Sequence, residues 1–306
     1  MDRMIRYSLR QLEYFVLAAG EGSVVKAAER LNVSQPSVSA AISKLEDQLG
    51  VQLLIRHHAA GVSATPAGAQ VLSQARNLLQ HANELQNLAA STSQEITGEV
   101  HLASFVTLAP LFLPGLIEGF ANDYPGSKVH IHEATQEHLI DGLRRGRFEL
   151  ALLYDVDLPD DIKTVALTQL HPYVLLHAAH PLLAHDDVSL KDLQGEPMIL
   201  LDVAPSRTYF LGLMRAAGVE PNIAFSSPSM ELVRGLVGKG QGYSLLATRP
   251  HGDVAYDGEP LGVRPIRGPV ETGRIVLASL EKLRPTRLMQ VFTAYCVQHF
   301  SDKPTR

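Results

Sequence analysis

Three serines, Ser8, Ser23 and Ser34, each stand directly before a short run of apolar residues at helical spacing, and this pattern constrains the fold most. A serine hydroxyl accepts a hydrogen bond from a first-turn N–H, so each position reads as a helix N-cap. After Ser8, Leu9, Leu12, Val16 and Ala19 fall on one face, and Gly20 and Gly22 end the helix. After Ser23, Ala27, Ala28 and Leu31 face inward, the two alanines leaving room for a crossing helix. "NVS" makes the turn. Pro36 then sits in the first turn of a third helix, where its missing N–H costs nothing, and Val38, Ile42, Leu45 and Leu49 recur until Gly50. Gln35, Ser37, Ser39, Ser43 and Lys44 are left facing outward. "VQLLIR" and "GVSAT" read as two short strands around "HHAAG", a small hairpin or wing.

Thr65-Pro66 starts the next helix. Val71, Leu78 and Leu85 are spaced in heptads, as are Ala75 and Ala82, which suggests a long helix packed on a partner helix. The pattern breaks over "ASTSQEITGE", placing a domain boundary near Thr97-Gly98. Strand "EVHLASF", helix "LFLPGLIEGFANDYP", strand "KVHIHEA", helix "QEHLIDGLRRGR" and strand "FELALLYD" then alternate as an α/β domain with a mostly parallel sheet. Near "TVALTQLHPYVLLHAAHP" the chain enters a second unit, and the strand "GRIVLASL" with the helix from about Pro285 to Phe300 returns to the first. The expected division is residues 1–65, 66–96 and 97–306. Within the last, lobe I is about 97–167 and 268–306, and lobe II about 168–267.

Local charge bears on partners. Residues 1–65 carry seven Lys/Arg against six Asp/Glu, whereas residues 97–306 carry 19 against 24. Only the N-terminal segment is not acidic, which permits a nucleic-acid partner there without demanding one. Cys296, the only cysteine, excludes an intrachain disulfide and a cysteine-only metal site. No apolar run reaches the roughly 18 residues of a membrane span, and no secretion signal precedes Ser8, so the expectation is a cytoplasmic protein with no membrane partner.

The run from "LRQLEYFVLAAGEGSVVKAAERLNVSQPSVSAAISKLEDQLGVQLLIR" to "ATPAG" resembles the LysR-type transcriptional regulators, and the resemblance extends over essentially the whole chain. It implies an N-terminal winged helix-turn-helix, a long linker helix and a two-lobed α/β effector domain like the periplasmic binding proteins. It implies double-stranded promoter or operator DNA, a small-molecule effector, self-association as homodimer or homotetramer, and RNA polymerase as partners. No cofactor is implied. By the same resemblance the DNA-binding residues are Ser34, Gln35, Pro36, Ser37, Ser39, Lys44, Arg56, His57 and His58, and the dimerisation residues are Val71, Ala75, Leu78, Ala82 and Leu85. Chemically, Gln can read adenine bidentately and Ser a base edge or phosphate, while Lys44 and Arg56 suit the backbone. The chain departs from the family at Ala40 and in its arginine-free wing, where relatives often carry arginine. Both departures predict weaker binding with a flatter salt dependence.

For the effector, the family's cleft maps onto Ser104 and Thr107, Thr135, Gln136 and His138, Asp202, Ser206 and Arg207, and Ser227 and Ser229. Helix N-termini, hydroxyls and an arginine suit a small organic or aromatic acid. Asp202 fits either an amine or hydroxyl on the ligand, or an internal partner for Arg207. Thr107, Thr135 and Ser229 read equally well as plain helix caps. "GKGQG" follows a helix and precedes a strand, the wrong order for a dinucleotide loop, so it reads as a helix-ending turn. His130 and His132 in "HIHE" share a strand face and read as solvated histidines, so no metal site is expected. No nucleophile elbow or P-loop is present, and neither catalytic residues nor an enzyme is expected. Two rivals stay open at this point: a binding protein whose helix-turn-helix has lost its DNA role, and an enzyme on a two-lobed scaffold.

Overall fold

The computed structural model describes residues 5–57, 61–90 and 96–302. Helices α1 (Leu9–Glu21), α2 (Val24–Arg30) and α3 (Gln35–Leu49) start at the three serines. Each hydroxyl accepts from a first-turn N–H, Ser8 from Gln11, Ser23 from Lys26 and Ser34 from Ser37. At α1 the cap is reciprocal, since the Gln11 side chain accepts from the Ser8 N–H. The inward face of α1 differs from the expected stripe. Leu12, Tyr14, Phe15 and Ala18 are buried, whereas Leu9 is exposed and Val16 and Ala19 are half-buried. Turning the helix to bury Phe15 completely removes more apolar surface from water than burying Leu9 would. α3 buries Val38, Ile42 and Leu45 as its spacing predicts, whereas Leu49 in its last turn is exposed.

Strands β1 (Leu54–His57) and β2 (Gly61–Ala64) pair antiparallel as the wing. Glu46 of α3 holds its entry by accepting from the N–H groups of Leu53 and Leu54 at 2.7 and 3.0 Å. The 25-residue helix α4 (Pro66–Ala90) follows. Thr65 Oγ1 accepts from the Gly68 N–H at 2.8 Å and donates to the Gln52 carbonyl at 2.7 Å. A Cβ on Gly68 would lie 2.0 Å from the Leu53 carbonyl oxygen, so the close approach of α4 to the wing requires glycine there. Leu72 and Ala75 pack inside the winged-helix core. Val71 and Ala82 are half-buried, and Leu78 and Leu85 are exposed at 42% and 69%. The expected heptad face is therefore divided. Ala75 is covered by its own chain, while Leu78 and Leu85 face solvent.

Beyond α4, β3 (Gly98–Phe105), α5 (Ala109–Asp123), β4 (Ser127–Ala134), α6 (Gln136–Arg144) and β5 (Leu150–Tyr154) alternate as expected. β3 lies parallel to both β4 and β5. β6 (Ile162–Leu170) joins this sheet, and after a second lobe the chain returns as β12 (Gly273–Leu280), giving the order β4-β3-β5-β12-β6. β12 is antiparallel to β5 and β6, so the sheet is mostly parallel as expected, with β12 alone running against the other four strands. The returning chain enters from the end opposite to a helical crossover. α9 (Arg287–Asp302) packs on this lobe, with the Phe292 ring edge-on to Phe120 at 4.7 Å.

In the second lobe, β7 (Tyr173–His177) lies between β10 (Ser244–Leu246) and β11 (Leu261–Pro265), antiparallel to both. β8 (Pro197–Leu201) and β9 (Asn222–Ser227) pair in parallel beside α7 (Ser206–Ala216) and α8 (Met230–Gly238). β11 and two single 3-10 turns, Pro181–Ala184 and Leu190–Leu193, escaped the sequence reading. "GKGQG" ends α8, with Gly240 at φ +71. Among the described residues no helix is long and apolar enough to cross a membrane.

Candidate DNA-reading and effector sites

The first turn of α3 faces solvent. Ser34, Gln35, Pro36 and Ser37 are exposed, Ser39 is half-buried, and Ala40 and Lys44 continue the exposed face one and two turns on. The polar groups order one another before any ligand arrives. Ser34 Oγ lies 2.7 Å from Ser37 Oγ, and Gln35 Nε2 donates to Ser39 Oγ at 3.1 Å. Arg56, on the first wing strand, donates from Nη2 to Ser43 Oγ at 3.1 Å, so one bond ties the wing cation to α3. Ser43 was missing from the expected contact residues, although its place four residues after Ser39 puts it on the same face. His57 Nε2 lies 2.8 Å from Ser63 Oγ across the hairpin. His58 lies outside the described residues.

Between the lobes, a cavity of about 30 Å³ is bordered by Tyr154, Val156, Ser206, Tyr209, Phe210 and Thr248. That is room for about one water molecule. Three expected residues converge on it. Ser206 lines it directly, Thr107 Oγ1 lies 2.8 Å from the Tyr154 hydroxyl, and Gln136 Nε2 donates to the Val156 carbonyl at 2.6 Å. Gln136 Oε1 is buried without a hydrogen-bond partner, an acceptor that a ligand proton could satisfy. Burial pushes the Tyr154 phenol up, with the hydroxyls of Thr107 and Thr248 acting against that shift. Tyr154, Tyr209 and Thr248 were not anticipated. The available signal was Tyr154 ending an apolar strand at its carboxyl end, where α/β sheets bind ligands.

The other expected residues have local partners. Ser104 Oγ donates to the Phe105 carbonyl at 3.3 Å, and Thr135 Oγ1 lies 2.8 Å from His138 Nδ1. Arg207 Nη1 pairs with Asp202 Oδ2 at 2.9 Å, the internal alternative for Asp202. Ser229 caps α8 by accepting from the Leu232 N–H, and Ser227 Oγ accepts from the Ser229 N–H.

A capped three-helix reader with a wing, a long helix and two α/β lobes now stand in one chain. Residues 9–69 match the family model of the bacterial regulatory helix-turn-helix protein, lysR family, and residues 93–301 match the LysR substrate binding domain. The chain belongs to the LysR family of transcriptional regulators. Like the other members, it couples a DNA-binding helix-turn-helix to an effector-binding domain. It is similar over 96% of its length to HinK, a LysR family transcriptional regulator from Pseudomonas aeruginosa, at 44% identity and a TM-score of 0.66, covering 99% of that chain. A hydrogen peroxide-inducible genes activator of Pectobacterium carotovorum is 31% identical over 78% of this chain and 79% of its own. Full-length CbnR complexed with its target DNA is 25% identical, with a TM-score of 0.57, over 96% of this chain and 99% of that one.

Proposed function

We propose that this LysR regulator reads operator half-sites with the first turn of α3. Gln35, Ser37 and Ser39 meet base edges, and Ser34, Lys44, Arg56 and His57 meet phosphates. The carrying observation is that this turn is solvent-facing and internally hydrogen-bonded, so the amide and hydroxyls are preorganised at a helix N-terminus. CbnR, bound to its target DNA, supports the reading. Two copies join through the α4 face that carries Leu78 and Leu85, as homodimer or as the unit of a homotetramer, and act on promoter DNA in the cytoplasm with RNA polymerase as partner.

The effector is a small organic or aromatic acid between the lobes, held by Ser206, Gln136 and Thr107 against the rings of Tyr154 and Tyr209. A cavity of about 30 Å³ does not admit such a molecule, so binding requires the lobes to separate. The effector then shifts the regulator by preferring the separated arrangement. Cys296 lends no support to a thiol-based peroxide response. It is buried, its thiol is pushed up to about 12, and the sequence holds no second cysteine to close a disulfide. A gel shift with DNA from upstream of the protein's own gene tests the DNA reading. Retardation at low salt that weakens in Gln35→Ala is expected, and no retardation contradicts it.

A further inference from the structure

The face of the first lobe's sheet that looks toward α4 carries residues the regulator's known parts do not use. Strand alternation puts Glu99 and His101 on one face of β3, and His130 and His132 on one face of β4. The parallel register pairs His101 with His130 and Ala103 with His132, so all four side chains share a face. Reading His130 and His132 alone as solvated histidines missed this, because strand pairing is a long-range fact. The His101 and His130 rings stack at 4.5 Å, 13° from parallel, and His130 Nε2 lies 2.8 Å from Glu99 Oε2. His101 Nδ1 and His132 Nε2 are 3.5 Å apart. The edge of a tetrahedron around an ion with bonds of about 2.1 Å is about 3.4 Å, so that separation is already of coordinating size.

We propose that Glu99, His101 and His130, with His132 as a fourth donor, form a binding site for a divalent transition-metal ion of the zinc, cobalt or nickel class. One ligand atom from each of Glu99, His101 and His130 lies within 4.8 Å of the others, close enough for small movements to converge on one ion. Imidazoles with one carboxylate select such ions over magnesium or calcium, which prefer all-oxygen shells. The site has access and a second layer. His101, His132 and Glu99 border a cavity of about 580 Å³ between the sheet and α4, closed on the far side by Arg76 and Gln80. Glu149 accepts from the His101 N–H at 2.7 Å, fixing the strand beneath the ring. Arg76 donates to the Gly146 carbonyl at 2.9 Å, so the site lies where the linker helix rests on the effector domain.

Cobalt is the probe for the test. The untagged full chain, freed of metal by chelator dialysis, is titrated with Co²⁺ and followed by visible absorption. About one Co²⁺ per chain with tetrahedral-type bands, displaced by Zn²⁺, is expected. His101→Gln with His130→Gln should weaken binding by about 100-fold or more, and Glu99→Gln by about 10-fold. Because Glu99 is exposed and His130 only half-buried, the single variants His130→Gln and Glu99→Gln should keep the wild-type circular dichroism spectrum, and they carry the test if the double variant misfolds. Absent bands, or equal affinity in wild type and folded variants despite the chain's 13 histidines, overturns the proposal.

Discussion

Ala40 offers a direct measurement of how α3 sits on DNA. It is exposed on α3 one turn before Lys44 and on the same face as that lysine, and its methyl group makes no ionic contact. Ala40→Arg adds a cation at that point with no buried group to disturb. Each phosphate newly neutralised steepens the fall of log K with log salt by about 0.9, so a dimer on two half-sites gains about 1.8. Between about 50 and 200 mM salt, that slope costs the variant about 12-fold more affinity than wild type loses. Anisotropy titrations of a labelled operator duplex at several salt concentrations read both slopes. Lys44→Gln, by the same reasoning, flattens the slope by about the same amount. An unchanged slope in a folded Ala40→Arg protein refutes the placement of this face against the phosphate backbone.

Other variants probe the scaffold and the cleft. Gly68→Ala places a methyl carbon 2.0 Å from the Leu53 carbonyl oxygen, so the unfolding free energy read from urea titration should fall by about 1–3 kcal/mol for overpacking of this kind. Leu78→Glu with Leu85→Glu, both at exposed positions, should leave the monomer fold intact and shift sedimentation toward a lighter species. Buried Cys296 should react with thiol reagents only after denaturation, and Cys296→Ala should leave DNA binding unchanged before and after peroxide. For an acid that raises the melting temperature, Ser206→Ala and Gln136→Ala should each reduce the shift, whereas Ser229→Ala should not, because Ser229 caps α8.

The winged helix was legible because its information is local. A capping serine, a first-turn proline and an apolar period act within one or two turns, and Ser8, Ser23 and Ser34 stand as N-caps in the structure. The rotation of α1 toward Phe15 was not legible, since it depends on which cavity the crossing helices leave. In the effector domain, the alternation of strands and helices was readable, but the antiparallel return of β12 was not, because it requires knowing where a strand more than a hundred residues after β5 inserts. The cleft shows the same division. Ser206, Gln136 and Thr107 follow from the ends of elements, while Tyr154 and Thr248 meet only when the lobes are assembled.

Nuclease footprinting of the full chain on DNA upstream of its own gene tests the central claim most directly. The account predicts protection at low salt over half-sites separated by whole helical turns of about 10.5 base pairs, weakened by Gln35→Ala and altered by an acid that binds between the lobes. Protection no stronger than on unrelated DNA, and insensitive to Gln35→Ala, contradicts it.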